Sequence, residues 1–399
     1  MQETKAEDGK MYLIKNVQVY APENLGKKDV LIGGGRILKI AEELPEVPEY
    51  EVVCVDGADR ILVPGLIDAH VHILGGGGEG GARTRTPEIM LSDIITAGVT
   101  TVVGCLGTDG CTRTMSNLLA KAQGLEEEGI TAYIYTGSYQ VPVRTLTGSI
   151  MDDLILLEKA VGSGEIAIAD HRSSQPTQED FAKLVADTRV GGILSGKAGI
   201  VNIHMGDGEE KLTYLRWILE HTQIPAANML PTHINRNEAL LQDGIAYARE
   251  CGGYIDLTTS MDPAAPGGHG VKASTALKQA LDAGVAAEQI TFSSDGQGSL
   301  PVFDETGTFV GLGVGKVMSL YQELCDAVLK DGVALEDALK IVTSNPADRL
   351  KLAHKGRICE NADADLVLLD QSTLAIDTVF AKGQKMLEAG KALVKGTFE

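Results

Sequence analysis

Two histidines, His70 and His72, are the first residues whose type and spacing point to chemistry. They lie at the end of an apolar run that begins at Ile61 and has the composition of a buried strand. Side chains two residues apart in a strand point to the same side, so both imidazoles face one way. Neutral imidazole is the commonest metal ligand near neutral pH. The pair therefore predicts half of a divalent-metal site, against the plainer interpretation of two polar residues where a strand meets solvent.

Further candidate ligands occur at the ends of later strand-like segments. His204 and His233 end two of these segments, and Asp295 ends the last one. Four of the eight histidines in the chain thus lie at strand ends, which a random scatter would rarely produce. Asp295 precedes a glycine and could be a turn residue. Its position among these histidines instead favours a metal ligand or a proton shuttle.

Other polar residues near the same strand ends have the chemistry to bind a substrate. Tyr139 could donate a hydrogen bond, or it could simply close a sheet edge. Arg172 and Arg236 could form surface salt bridges, but their positions favour a carboxylate clamp. Glu79 follows four glycines and could bind an ammonium group, which the sequence alone leaves open. His171 is expected to orient a neighbouring ligand or to have a structural role.

The elements that must position these residues follow a regular alternation after Pro64. Eight strands, each followed by a helical segment, are typical of a parallel barrel whose active site lies at the carboxyl ends of the strands. An open doubly wound sheet would need a G-x-G-x-x-G sequence after its first strand, which is missing. Among the helices, one is predicted to begin at Thr86, one to cover residues 151–161 and one to begin at Val314. The predicted strands cover residues 65–72, 99–106, 130–139, 165–171, 200–205, 229–234, 254–260 and 290–295.

Short alternating runs at both ends of the chain predict a second, smaller domain. We therefore expect an α/β protein, a (β/α)8 TIM-like barrel with a small β-sandwich domain formed from both chain termini. The predicted small domain covers residues 1–62 and 353–399, and the predicted barrel covers residues 63–352.

The composition of the chain limits its partners and compartment. The net charge of −20 argues against nucleic acid or an anionic membrane surface as a partner. Six cysteines without C-x-x-C spacing do not suggest a disulfide framework and favour a reducing compartment. The first ten residues are polar and no apolar run reaches 18 residues, so neither a signal peptide nor a membrane span is expected. The expectation is a soluble cytoplasmic protein.

Taken together, the ligand pattern resembles the amidohydrolase superfamily of metal-dependent (β/α)8 hydrolases. Within that superfamily the chain is similar to the isoaspartyl dipeptidases (peptidase family M38) over nearly its whole length. The motifs that carry this resemblance lie at residues 67–72, 75–79, 83–88, 104–109, 139–142, 147–149, 170–173, 204–207, 230–237, 293–299 and 394–399.

The resemblance implies a role for each matching residue. His70 and His72 would hold one zinc ion and His204 and His233 another, so two Zn²⁺ ions are expected per subunit. Asp295 would be a ligand and would serve as general base and then as general acid. The implied partner is a small dipeptide, and the implied assembly is a homo-oligomer, often an octamer. The implied substrate-binding residues are Gly77, Gly78, Glu79, Thr108, Tyr139, Arg172, Arg236 and Ser299.

One position departs from the family pattern. The family usually has a carboxylated lysine on the fourth strand that bridges two metals, and the matching residue here is Glu165. A carboxylate is also a bidentate anion that suits zinc, but its side chain is shorter. Our hypothesis is that Glu165 bridges two ions in place of the carbamate. The opposing hypothesis is a one-metal site in which Glu165 is merely packed.

These residues predict hydrolysis of the isopeptide bond of β-aspartyl dipeptides by a zinc-activated hydroxide. Asp295 would take up the proton and pass it to the leaving amine, and Tyr139 would donate to the developing oxyanion. Glu79 and two arginines offer one anion and two cations, which suits a zwitterion with an extra acid. One alternative is a cyclic-amide hydrolase of the hydantoinase or dihydroorotase kind. Another is a non-catalytic oligomeric scaffold, since the bridging lysine is lost.

Overall fold

The computed structural model describes residues 10–46, 51–264, 270–304 and 308–399. Its first strands are β1 (Met11–Tyr20), β2 (Asn24–Gly33), β3 (Arg36–Ala41), β4 (Val52–Asp56) and β5 (Arg60–Pro64). The middle of the chain then alternates strands and helices: β6 (Leu66–Val71), α1 (Leu91–Ile95), β7 (Val99–Gly104), α2 (Met115–Glu127), β8 (Thr131–Thr136), α3 (Ile150–Leu156), β9 (Ala160–Ile168), α4 (Gln178–Ser195), β10 (Ile200–Met205), α5 (Thr213–His221), β11 (Met229–Thr232), α6 (Glu238–Cys251), β12 (Ile255–Thr258), α7 (Ala273–Asp282), β13 (Ile290–Ser293), β14 (Ser299–Phe303), β15 (Phe309–Val314), α8 (Met318–Leu329), α9 (Leu335–Val342) and α10 (Ser344–Arg349). The last strands are β16 (Leu366–Asp370), β17 (Ile376–Ala381), β18 (Gln384–Glu388) and β19 (Lys391–Ala392).

Strands β6 to β13 build the barrel. Strands β6 to β11 form one parallel sheet in chain order, and β12 and β13 form a second parallel pair. The last strand returns to the first, because Val71 bridges Gly296 in parallel and the His72 N–H donates to the Gly296 carbonyl at 2.9 Å. The strands are buried along almost their whole length, as expected where helices cover a parallel sheet. The predicted (β/α)8 barrel is confirmed.

The small β domain is one sheet shared by the two ends of the chain. Its strands lie in the order β19-β18-β17-β16-β5-β1-β2-β3, and β4 pairs with β1. The join between the two ends is the antiparallel pair of β5 and β16, in which Val63 faces Val367. A core separate from that of the barrel, with Tyr12, Ile14 and Phe380 among its buried members, packs on this sheet. The predicted domain built from both termini is confirmed, and its exact boundaries at residues 62/63 and 352/353 remain a prediction.

Two predicted helices begin elsewhere. The helix expected at Thr86 begins at Leu91, because the Thr86 hydroxyl is used in tertiary contacts. It accepts from the Gly76 N–H at 2.7 Å and donates to the Gln297 carbonyl at 2.6 Å. These hydrogen bonds fix the loop formed by the four glycines at positions 75–78. The helix expected from Val314 begins at Met318, since the preceding residues form an unpredicted hairpin of β14 and β15. Helix α10 was also not predicted.

The fourth barrel strand is longer than predicted. Helix α3 ends at Leu156, five residues earlier than expected, and β9 begins at Ala160 rather than at Glu165. Glycines interrupt the apolar pattern in the first half of this strand, and packing requires them there. A Cβ at Gly162 would lie 2.1 Å from the Ile200 carbonyl oxygen of the neighbouring strand. Along the described ranges, none of the helices has the length and apolar character needed to cross a bilayer.

Candidate active site

The six predicted metal ligands meet at the carboxyl ends of the barrel strands. His70, Glu165 and His204 lie in strands β6, β9 and β10, and His72 directly follows β6. His233 and Asp295 follow β11 and β13 and have φ angles of 62° and 53°. Non-glycine residues rarely adopt this left-handed conformation, which costs of order 1–3 kcal/mol and is typical of functional sites.

Glu165 lies at the centre of this cluster, with each oxygen facing a different histidine pair. Its Oε1 is 2.6 Å from His204 Nδ1 and 3.1 Å from His233 Nε2. Its Oε2 is 3.4 Å from His70 Nε2 and 3.7 Å from His72 Nε2. The side chain is 1% exposed. A carboxylate in this position could bridge two cations.

Several buried atoms of the cluster lack hydrogen bonds within the described part of the chain. They are both ring nitrogens of His70, Oε2 of Glu165 and Oδ1 of Asp295. Asp295 Oδ1 also lies 3.0 Å from His72 Nε2 and 3.6 Å from His70 Nε2. An unsatisfied buried polar group costs about 1–3 kcal/mol, and a cation between these atoms would remove that cost. The residues therefore fit a divalent metal ion.

The electrostatics of the cluster also favour a cation. Burial alone would lower the pKa of His70, but the charges of Cys105 and Glu165 outweigh it and raise this pKa well above its ordinary value. A metal ion would supply the positive charge that a proton supplies there otherwise. At His233, burial dominates and lowers the pKa to about 3. The His233 ring is therefore neutral, as a metal ligand must be.

Asp170 orients His204 from behind. The Asp170 Oδ2 atom lies 2.9 Å from His204 Nε2, which leaves Nδ1 to face Glu165. Arg172 donates to both oxygens of Asp170, from Nε at 2.9 Å and from Nη2 at 2.7 Å. Burial would raise the pKa of Asp170, but these hydrogen bonds and that from His204 hold it well below its ordinary value. His171, which was expected to orient a neighbouring ligand or to have a structural role, has a side chain that is 89% exposed, and its Nδ1 lies 3.6 Å from Asp170 Oδ1.

The cluster opens into a cavity of about 470 Å³. Of the four histidines predicted as metal ligands, His72 and His204 line this cavity. Gly78 belongs to the same loop as Gly77 and Glu79 but does not line the cavity. The predicted binding residues that do line it are Gly77, Glu79, Thr108, Tyr139, Arg172, Arg236 and Ser299.

Glu79 and Arg172 face each other at the edge of the cavity. Thr108 Oγ1 donates to Glu79 Oε1 at 2.9 Å, and Ser299 Oγ donates to Oε2 at 3.4 Å. Arg172 uses two nitrogens on Asp170, and its remaining Nη1 is 3.5 Å from Glu79 Oε1. The cavity thus presents a carboxylate and a guanidinium side by side.

Arg236 and Tyr139 flank His204. Arg236 Nε donates to the Met205 carbonyl at 2.9 Å, and its Nη2 lies 3.5 Å from His204 Nε2. Tyr139 Oη is 2.8 Å from His204 Nδ1. Burial, reinforced by the charge of Glu165, raises the pKa of Tyr139 well above 10, so its hydroxyl keeps its proton. Tyr139 lies three residues beyond the end of β8 rather than within the strand as predicted.

Sequence analysis missed some residues at this site. Cys105 directly follows β7, and its Sγ is 3.7 Å from His72 Nδ1, close enough to belong to a candidate ligand group with His70, His72 and Glu165. Its place at a strand end was the available signal. The cavity lining also includes Thr258, Ser260, Met261 and Asp262 at and after the end of β12, where barrel geometry alone predicts the active-site rim.

Comparison with known proteins places these features among known hydrolases. A model of the amidohydrolase family matches residues 61–391. The crystal structure of a β-aspartyl dipeptidase from the thermophilic keratin-degrading Fervidobacterium islandicum AW-1, in complex with β-Asp-Leu, is 47% identical with a TM-score of 0.88. The match covers 96% of this chain and 98% of that one. A structure of D-hydantoinase, 17% identical with a TM-score of 0.68, shares the fold.

Curated relatives are more distant or match only briefly. A dihydroorotase from Listeria monocytogenes serotype 4a (strain HCC23) is 26% identical over 96% of this chain and 95% of its own length. A dihydroorotase from Ligilactobacillus salivarius (strain UCC118) is 38% identical over 60 residues, and this match spans only 14% of that protein. The expected resemblance to the isoaspartyl dipeptidases is confirmed by the structural match.

Proposed function

The chain belongs to the amidohydrolase family, and from that premise we propose that it hydrolyses β-aspartyl dipeptides to aspartate and a second amino acid. The observation that carries this proposal is the set of charges around the cavity, which places Glu79 next to Arg172 and brings both Arg172 and Arg236 within 3.5 Å of His204 Nε2. The 47% identical β-aspartyl dipeptidase supports it.

The charges of the cavity match those of the substrate. A β-aspartyl dipeptide carries one ammonium group and two carboxylates around its isopeptide bond. Glu79 would bind the ammonium group, since its carboxylate is already fixed by Thr108. Arg172 Nη1 and the Nη groups of Arg236 would bind the carboxylates, because guanidinium groups recognise such planar anions.

We propose that the cluster holds two zinc ions, with Glu165 between them. His70 and His72 would hold one ion, His204 and His233 the other, and Asp295 would complete the site. When bound, zinc lowers the pKa of water towards about 7 and polarises a carbonyl oxygen. The orphaned atoms of His70 and Glu165, and the two-sided placement of the Glu165 oxygens, support this assignment.

Two side chains of the chain would move or hold protons during hydrolysis. Burial would raise the pKa of Asp295, but its close contact with His72 and the charges of the neighbouring histidines lower it. Asp295 is therefore ionised at neutral pH, so it would accept a proton from the attacking water and pass it to the leaving amine. Tyr139 keeps its proton and would donate to the oxygen that becomes negative in the transition state.

A side-by-side assay tests the proposal. The zinc- or cobalt-reconstituted protein should hydrolyse β-Asp-Leu and leave α-Asp-Leu, a hydantoin and dihydroorotate largely intact. Cleavage of hydantoin or dihydroorotate with no action on dipeptides would instead support the cyclic-amide alternative, to which the Listeria dihydroorotase is the relevant relative. A fully metal-loaded protein inert towards every substrate would support the scaffold alternative.

Two measurements test individual residues. Arg236→Ala should raise KM for β-Asp-Leu strongly, whereas Arg216→Ala, which removes a surface partner of Asp243, should not. An unchanged KM in the first variant contradicts the clamp. Elemental analysis should find two zinc ions per chain, and full activity with one tightly held ion would reject Glu165 as a bridge. The homo-oligomer, an octamer by family resemblance, also remains a proposal that light scattering can test.

A further inference from the structure

Histidines of the candidate metal centre have polar partners on the side of the ring that faces away from the cluster. At His233 the partner is a hydroxyl, since Nδ1 lies 2.7 Å from Thr258 Oγ1. At His72 the partner is a thiol, because Nδ1 lies 3.7 Å from Cys105 Sγ. A histidine that holds a metal nearly always donates its other ring N–H to an acceptor, which fixes the tautomer and the orientation of the ring. The thiol therefore occupies the place at which a metal-binding histidine needs an acceptor.

The two ring nitrogens of His72 face different groups. Nε2 lies 3.0 Å from Asp295 Oδ1 and 3.7 Å from Glu165 Oε2, so it is the nitrogen that can share an ion with these carboxylates. Nδ1 must then carry the ring proton, because a neutral imidazole has one donor and one acceptor nitrogen. Among the residues that the structure describes, Cys105 is the one whose side chain lies within hydrogen-bonding range of Nδ1.

Cys105 is held in place beside this ring. It directly follows β7, and its backbone N–H donates to the Val71 carbonyl at 3.0 Å. Its side chain is fully buried, and its Sγ lies 3.6 Å from the same carbonyl oxygen. The thiol can therefore donate its own hydrogen to Val71 while the sulfur accepts from His72. A thiolate would accept from the imidazole as well, so this contact is available in either state of the sulfur.

Backbone confines the His72 ring from other directions. A Cβ at Gly107 would lie 2.9 Å from Cε1 of this ring, and a Cβ at Gly76 would lie 3.4 Å from its Cγ. Such close packing limits the movement of the ring, but it does not choose between the two tautomers. The choice requires a polar atom at one of the nitrogens, and Cys105 supplies that atom at Nδ1.

The sulfur could instead be a metal ligand. Thiolates bind zinc, and the candidate ligand atoms of Cys105, His70, His72 and Glu165 all lie within 4.8 Å of one another. An ion shared by the sulfur and His72 would use Nδ1, however, whereas Asp295 and Glu165 face Nε2. One ion cannot bind both nitrogens of a single ring. The geometry therefore favours a supporting role for the thiol.

We propose that Cys105 is a positioning residue of the metal centre, whose sulfur accepts from His72 Nδ1–H and so directs Nε2 at the ion. This inference rests on the proposed function and adds to it a side chain that touches neither the substrate nor the ion. Sulfur is a weaker acceptor than a carboxylate, so the loss of this contact should reduce metal affinity less than the loss of Asp170.

Chelator competition on the zinc-loaded protein measures the effect. Cys105→Val removes the acceptor and should lower zinc affinity by about tenfold. Cys105→Ser keeps an acceptor and should lower the affinity by less than about threefold. Cys54→Val makes the same replacement in β4 of the small domain and should leave the affinity unchanged. Cys105→Ala removes the acceptor without adding volume, which provides a second variant if Cys105→Val misfolds.

The absorption spectrum of the cobalt-loaded protein separates the two roles of the sulfur. A cobalt ion bound to a thiolate gives an intense charge-transfer band in the near ultraviolet. If Cys105 only positions His72, the unmodified protein and Cys105→Ser should have the same spectrum in that region. An intense band that disappears in Cys105→Ser would make the sulfur a ligand and would overturn the proposal.

The outcomes also distinguish this inference from the proposed function. Unchanged zinc affinity in Cys105→Val and Cys105→Ala would overturn the positioning role. Equal losses in Cys105→Ser and Cys105→Val would do the same, because they would assign the effect to packing rather than to the acceptor. In both cases, hydrolysis of β-Asp-Leu by the unmodified zinc-loaded protein would still support the proposed function. Failure of that protein to cleave any β-aspartyl dipeptide would instead overturn the proposed function, while zinc affinity would still decide the role of Cys105.

Discussion

Replacing Asp170 by asparagine isolates the hydrogen bond that orients His204. Asp170 uses Oδ2 towards His204 Nε2 and accepts from Arg172 at both oxygens. Asparagine has the same shape but one of its two terminal atoms is an NH2 group. Whichever way this amide turns, the NH2 group meets an N–H of Arg172, and in one orientation it also meets His204 Nε2. The variant therefore loses the anion and introduces a contact between donors.

The expected loss is in metal affinity. Groups that support a histidine ligand typically contribute 10- to 100-fold to metal binding, which corresponds to about 1.4–2.7 kcal/mol. The upper end is expected here, because the side chain of Asp170 is only 4% exposed and water cannot easily replace the lost acceptor. Arg172 loses its partner in the same variant, so KM for β-Asp-Leu should also rise.

Chelator competition measures the affinity directly. Asp170→Asn should release zinc at a 10- to 100-fold lower concentration of competing chelator than the unmodified protein. The control is Asp187→Asn, which removes the same charge from a surface pair with Lys183 and should leave metal affinity unchanged. If Asp170→Asn retains two zinc ions with unmodified affinity, the role assigned to Asp170 is wrong.

Three further perturbations test other parts of the structure. Tyr139→Phe should lower kcat by about 10²- to 10³-fold with little change in KM or zinc content, as steady-state kinetics and elemental analysis would reveal. Zinc reconstitution in buffer free of bicarbonate should give full activity, because the Glu165 carboxylate needs no carbon dioxide to form; a requirement for bicarbonate would point to a carbamate elsewhere. Lys355→Met should lower the free energy of unfolding by about 3–5 kcal/mol in thermal melts. The substitution removes the buried ammonium group that lies 2.5 Å from Asp365 and 2.8 Å from Asp363. Lys351→Met, at an exposed site, is the control. Burial would lower the pKa of Lys355, but these aspartates raise it, so its contribution to stability should be complete below about pH 10 and decline only as the pH rises through the raised pKa.

The barrel, and the position of the candidate ligands at its rim, could be predicted because apolar strand segments alternate regularly with helical segments along the chain. Buried parallel strands appear in the sequence as continuous apolar runs. A polar residue at the end of such a run therefore indicates the active-site rim of a barrel. His70, His204 and Asp295 were found in this way. Glycines obscured β9, because glycine has low strand propensity. Gly162 is nevertheless required, since a Cβ at this position would lie 2.1 Å from the Ile200 carbonyl oxygen.

Contacts between distant segments could not be predicted. The pairing of Asp170 with His204 depends on how two neighbouring strands are aligned, and the sequence suggested His171 instead. The hairpin of β14 and β15 was missed because its glycines and valines carry no strong alternation. Only the three-dimensional structure shows that Leu300 of this hairpin lines the cavity. In each case the deciding interaction joins residues that no local pattern connects.

The distances around Glu165 bear on whether the site takes one metal ion or two. With zinc–ligand bonds of about 2.0–2.2 Å, neighbouring atoms of a tetrahedral site lie about 3.3–3.6 Å apart. The 3.4 Å and 3.7 Å separations of Oε2 from His70 and His72 are already close to that spacing. The 2.6 Å separation of Oε1 from His204 Nδ1 is that of a hydrogen bond, and it must widen before an ion can enter. His70 and His72 would therefore hold the first ion, and Glu165 would have to give up its hydrogen bond with His204 before that histidine could hold a second one.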